Sequence, residues 1–206
     1  MKKAINYFAL FLLLFAYVVN AQDNPKLKAI YESVSAEKIG DYDKAISVMM
    51  KDYNNWKNDY VYNLRLGWLN YLKGDFPVSL NYYKKAIKLS NKSIESLLGI
   101  TYPYSKMNKK DKLKKVYNEI LKKAPSNYTA NLNLALLYFN EGDYLNSMIY
   151  LEKLAKDYPS DYTVNLYLGW ANYYEGGNKK AHKYFERALI AVPNDPSAKK
   201  GYDATK

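Results

Sequence analysis

The sequence predicts an all-α protein, a solenoid of stacked helix–turn–helix units, and three observations lead there. The phrase NLRLGWLNYLKGDF at 63–76 returns as NLNLALLYFNEGDY at 131–144 and as NLYLGWANYYEGGN at 165–178. The starts at 63, 131 and 165 differ by 68 and then by 34, so the repeat period is 34. Steps of 34 from Gly40 meet Gly74, Asn108, Gly142 and Gly176, residue types that accept the left-handed backbone of a tight helix-to-helix turn. Steps from Ser33 meet Gly67, Thr101, Ala135 and Gly169, none larger than threonine, as required where two helix backbones approach closely.

The elements follow in order. MKK and the apolar run AINYFALFLLLFAYVV, closed by Val19-Asn20-Ala21, resemble a bacterial secretory signal peptide over residues 1–21, with Gln22 as the new terminus. A short segment, 22–25, leads into five units at 26–59, 60–93, 94–127, 128–161 and 162–195, and 196–206 is left as a cap or tail. In the second unit helices are expected near 60–73 and 77–89, joined at Gly74-Asp75-Phe76; Asp75 caps the second and Pro77 is tolerated in its first turn. Leu80, Tyr83 and Ile87 form a buried stripe there, and Asn81, Lys84, Lys85 and Lys88 face water. Pro125, Pro159 and Pro193 stop the second helix of three units. Glu32 stands where the first unit should have a large apolar residue and Lys57 where a proline is usual, so its first helix is expected to be the least firmly packed. Gly99 and Pro103 inside one helix predict a kink. The segment PSAKKGYDATK, 196–206, is too short for a full capping helix and leaves an apolar end open to self-association.

Ile100-Thr101 with Tyr104, Leu134-Ala135 with Tyr138, and Ala181 with Phe185 place a large apolar residue, a small one and an aromatic at the spacing of the tetratricopeptide repeat, with terminal prolines. The chain resembles that family over 26–195, which implies a right-handed superhelical solenoid and a concave groove lined by the first helices. The resemblance assigns to that groove Arg65, Trp68, Tyr71, Tyr102, Asn133, Phe139, Tyr167, Trp170, Tyr173 and Tyr174. It also argues against the lysine-and-asparagine clamp by which some members hold a terminal carboxylate, because Leu64 and Trp68 occupy places where that clamp is polar.

Composition narrows the function. The chain has no cysteine, so it can form neither disulfides nor thiolate metal sites. The formal charge of +11 falls to +9 once Lys2 and Lys3 leave with the signal, and only Arg65 and Arg187 are arginines among 31 basic residues. Export and the scarcity of the bidentate phosphate-binding side chain argue against nucleic acid. One histidine, His182, without an orienting partner makes no acid–base site; Asp41, Asp75 and Asp143 recur as turn caps, and no glycine-rich phosphate loop occurs. The expectation is a non-enzyme without a metal or cofactor. KMNKKDKLKKVYNEILKK, 106–123, reads as a solvated face, with weak contact to an anionic membrane or polymer as its other reading.

The resulting expectation is an exported, periplasmic or secreted scaffold. It takes a peptide or helix of another envelope protein into an aromatic groove, since amphipathic rings in line are a recognition surface. The alternative is a glycan-handling accessory of polysaccharide or cell-wall export, whose sugar site would place acids and amides beside the rings; the sequence around Trp68 is mostly apolar.

Overall fold

A computed structural model describes residues 24–206. The signal peptide expected at 1–21 lies outside the described residues. Among those residues there are twelve helices, and no helix is long and apolar enough to cross a membrane. They fall into two compact units, one through Met107 and one from Asn108 to Lys206.

The first unit holds α1 (Pro25–Lys38), α2 (Tyr42–Lys51), the single turn α3 (Tyr53–Trp56), α4 (Tyr60–Lys73), α5 (Phe76–Leu89) and α6 (Ile94–Lys106). The second holds α7 (Lys110–Lys123), α8 (Tyr128–Asn140), α9 (Tyr144–Asp157), α10 (Tyr162–Tyr174), α11 (Asn178–Ala191) and α12 (Pro196–Ala204). Pairs α1/α2, α4/α5, α8/α9 and α10/α11 are hairpins, and each packs on its sequence neighbour within its unit.

The turns form because the backbone there is left-handed. Gly40, Gly74, Gly142 and Gly176 have φ of 76°, 91°, 79° and 77°, and Asn108 has φ 53°. Asp41, Asp75 and Asp143 then accept from the amides of Lys44, Val78 and Asn146, capping the second helix of each pair.

A second column of caps starts the first helices. Asp59, Ser93, Asn127, Asp161 and Asp195, each one repeat period after the last, accept from the amides of Tyr62, Ser96, Ala130, Val164 and Ala198. Three of these caps also meet a side chain from the preceding hairpin. Lys26 pairs with Asp59, the Tyr60 hydroxyl lies 3.1 Å from Ser93 Oγ, and the Tyr128 hydroxyl donates to Asp161 at 2.8 Å. Burial and the Asp161 carboxylate push the Tyr128 phenol up to about 12. Buried asparagines close the joins between hairpins. Asn131 Nδ2 donates to the carbonyls of Pro125 and Asn127, and Asn165 Nδ2 to those of Pro159 and Asp161. Asn63 does the same with Lys57 and Asp59, so the acceptor at the end of a repeat is a carbonyl that lysine supplies as well as proline.

Packing follows the small-residue column. In the first unit the Tyr83 ring, 2% exposed, is held between α4 and α6: a Cβ on Gly67 would stand 3.0 Å from it, and one on Gly99 would overlap it. Phe185 sits the same way between Gly169, where a Cβ would be 2.6 Å away, and Gly201. Leu80, Tyr83, Leu66 and Leu69 are buried in the first unit, and Leu151, Leu154, Val164 and Leu168 in the second.

One expectation changes. Residues 196–204 are helical, with Ala198 and Gly201 buried against α10 and α11, because Gly201 presents the same flat backbone to Phe185 that Gly99 presents to Tyr83. The exposed side of α12 carries Ser197, Lys199, Lys200 and Asp203. Glu32 is exposed, and α1 buries only the small residues Ala29, Ser33 and Ala36, where α4 and α10 bury leucines as well. The helix α6 runs from Ile94 to Lys106 with the buried Pro103 inside it, and Gly99 leaves room for the Tyr83 ring.

Two outcomes test this account. Gly99→Ala is expected to cost about 1–3 kcal/mol by overpacking, where an exposed helical glycine would gain up to about 1 kcal/mol from the same change; thermal unfolding decides the sign. Asp59 is raised by burial but lowered more by Lys26 and by the Tyr62 and Val61 amides, so its carboxyl lies below the ordinary range. The native ion pair therefore adds stability above about pH 4 and loses it as pH falls through the lowered value. Asp59→Asn, which retains a capping oxygen, should unfold at a lower temperature than the parent at pH 7, by about 0.5–1 kcal/mol, and the gap should close in strong acid.

Candidate functional site

An aromatic pocket built from first helices lies in each unit. In the first unit, α4 and α6 enclose about 600 Å³ between Leu64, Trp68, Leu98 and Tyr102, with the Tyr83 ring as floor and Arg65 and Glu95 at the margin. Trp68, Tyr71 and Tyr102 meet with ring centroids 5.4–5.6 Å apart. The first helix of the preceding hairpin fixes them from behind: Trp68 Nε1 donates to Glu37 Oε1 at 2.8 Å, and Arg65 Nη2 lies 2.9 Å from Glu37 Oε2. Arg65 Nε donates to Ser33 Oγ. Burial raises the Tyr83 phenol well above its usual range, with Tyr102 and Tyr71 adding to the effect, so the floor stays uncharged at any physiological pH.

In the second unit, α10 and α12 enclose about 700 Å³, with Phe139 of α8, Leu166, Tyr167, Trp170, Tyr173 and Tyr174 facing Pro196, Ser197, Lys200 and Ala204. Trp170 Nε1 donates to Ser197 Oγ at 3.0 Å, and its ring meets Phe185 edge-on at 5.0 Å. Tyr174 stacks on Tyr144 at 4.6 Å and on Trp170 at 5.8 Å, while Phe139 and Tyr167 meet at 4.9 Å. About half of Tyr174 and of Tyr102 remains exposed.

The residues expected in one groove thus form two groups: Arg65, Trp68, Tyr71 and Tyr102 in the first unit, and Phe139, Tyr167, Trp170, Tyr173 and Tyr174 in the second. Asn133 joins neither through its amide, which donates to Thr129 O in its own helix at 2.8 Å. Arg65 is held by Glu37 and Ser33 and acts as a fixed wall. The polar surroundings of Trp68 were not visible in its own phrase, because Glu37 comes from one repeat earlier. A signal existed: Glu37 occupies the column of Tyr71, Phe139 and Tyr173, one repeat step before Tyr71. Ser197 and Lys200 follow the fifth unit, in 196–206. Lys200 continues the column Leu64, Leu98, Leu132, Leu166.

Catalytic groups do not converge in either pocket. His182 stacks on Tyr202 at 4.1 Å, and its Nδ1 lies 3.1 Å from Thr205 Oγ1. Of the 106–123 lysines, Lys114 is engaged by Glu141 at 2.5 Å and lies over the Tyr138 ring.

Paired helices in a regular repeat frame, close-packed glycines and aromatic pockets on first helices define a helical-repeat fold. Residues 114–162 match the family model of the tetratricopeptide repeat. No curated protein sequence matches the chain. Solved structures share the fold. MamA protein is 20% identical with a TM-score of 0.71, over 81% of this chain and 91% of that one. A tetratricopeptide repeat protein from Parabacteroides merdae is 18% identical with a TM-score of 0.74, over 86% and 71%. YrrB, a tetratricopeptide protein with an unusual peptide-binding site, is 12% identical with a TM-score of 0.71, over 91% and 98%. The chain shares the fold of these tetratricopeptide-repeat structures, and residues 114–162 carry the sequence signature of the repeat.

Removal of the Glu37 carboxylate tests how the first pocket is held. In Glu37→Ala the Arg65 guanidinium, whose side chain is 14% exposed, loses its partner, with an expected loss of about 1–3 kcal/mol. Trp68 emission should shift as its indole N–H loses its acceptor, and the same substitution with Trp68→Phe also in place should lose that shift.

Proposed function

We propose that the chain is a non-catalytic protein–protein interaction scaffold of the bacterial cell envelope, exported by the segment 1–21 and binding a peptide or helix of a partner protein in its aromatic pockets. The observation that carries this reading is the pair of first-helix pockets walled by Trp68, Tyr71 and Tyr102 and by Trp170, Tyr173 and Tyr174, each open to solvent. Rings of this kind bury a large apolar area with little loss of side-chain freedom, and truncating one such anchor commonly costs about 2 kcal/mol or more of affinity. The indole nitrogens are already fixed by Glu37 and Ser197, so little ordering is needed on binding. YrrB, which shares the fold, has a peptide-binding site, and that supports a peptide partner here.

Two measurements test the reading. Expressed with residues 1–21 in a bacterium, the protein should appear outside the cytoplasm with Gln22 as its first residue; retention in the cytoplasm overturns export. In a crosslinked pull-down from envelope extract, one partner should be captured by the parent and lost from a Trp68→Ala, Trp170→Ala variant of unchanged helicity. Capture indifferent to the tryptophans overturns the pockets as the binding surface.

A further inference from the structure

The two pockets are the same pocket in different repeats. Leu64, Trp68, Ile94, Glu95 and Leu98 of the first recur after three repeat steps as Leu166, Trp170, Pro196, Ser197 and Lys200 of the second. The floor repeats as well, Tyr83 between Gly67 and Gly99 answering to Phe185 between Gly169 and Gly201. The backbone frame and the indole wall are kept, and the charge at the margin is not. In the first pocket Arg65 and Glu37 neutralise each other, which leaves the carboxylate of Glu95, exposed and steadied at Oε2 by the Tyr60 hydroxyl at 2.6 Å. In the second, Ser197 is neutral and engaged by Trp170, which leaves the exposed ammonium of Lys200. An acid thus stands at one apolar pocket and a base at its counterpart.

We infer that the two pockets select different peptide segments: the first takes an apolar side chain flanked by a basic residue, and the second an apolar side chain flanked by an acidic one. The inference rests on the peptide-binding reading and adds to it a rule for the ligand. Apolar burial against Trp68 or Trp170 supplies affinity in both, and the marginal charge decides which sequence is preferred, as complementary charges do at interfaces. Because the deciding charges are at an exposed margin, their effect should be modest and should weaken with salt.

The test uses two fluorescein-labelled peptides with amidated C-termini, KKLFL and EELFL, titrated by anisotropy into the purified protein at low ionic strength. Glu95→Gln, whose amide oxygen still accepts from Tyr60, should weaken KKLFL about fivefold and leave EELFL unchanged; Lys200→Gln should do the reverse. Trp68→Ala should reduce binding of KKLFL and Trp170→Ala that of EELFL. If both peptides respond to the tryptophans but neither responds to Glu95→Gln or Lys200→Gln, the charge rule is overturned while the peptide-binding reading stands. If neither peptide binds, or neither tryptophan matters, that reading is overturned and the inference falls with it.

Discussion

The structure depends on close approach at two rings. Tyr83 and Phe185 each lie flat between two glycines of neighbouring first helices, and a ring takes that position only where neither helix carries a Cβ. This brings α4 and α6 together around one ring, and α10 and α12 around the other, and leaves the tryptophans beside them as walls. The pockets therefore do not require a separate design. They are what remains between two first helices whose spacing is set by a buried ring, and the repeat frame reproduces them.

The sequence made the turns legible, because Gly40, Gly74, Gly142 and Gly176 have no other reason to recur in step than a left-handed backbone. It also placed Leu80 and Tyr83 on the buried side of α5, where the three-and-four spacing is regular. What it concealed was contact between columns. Glu37 holds Trp68 from one repeat away, and nothing in either phrase pairs an acid with an indole. The packing role of Gly99 was hidden because its neighbour in space, the Tyr83 ring, belongs to the preceding hairpin. The tail was underestimated for the same reason: Gly201 is a packing residue only when Phe185 is known to be opposite.

Polar groups in the pockets divide by whether the fold has already used them. Arg65 and Asn133 looked like contacts for a partner, yet the first is bound by Glu37 and Ser33 and the second by its own helix. A side chain drawn into the scaffold's own network orients the wall, and only its remaining donors and acceptors can face a ligand. Glu95 and Lys200, unremarked in the repeated phrases, stand at the margins with charge still facing water.

The caps at Asp59, Ser93, Asn127, Asp161 and Asp195, the asparagine amides that reach back to the end of the previous repeat, and the side chains that reach forward to the next cap all read one register. A single inserted residue between two caps would put each of these bonds out of reach at once, whereas a whole inserted repeat would satisfy them all. Length in such a chain is quantised: it can grow or shrink by a full repeat far more readily than by a single residue, and each added step brings with it another pocket whose margin is free to carry a new charge.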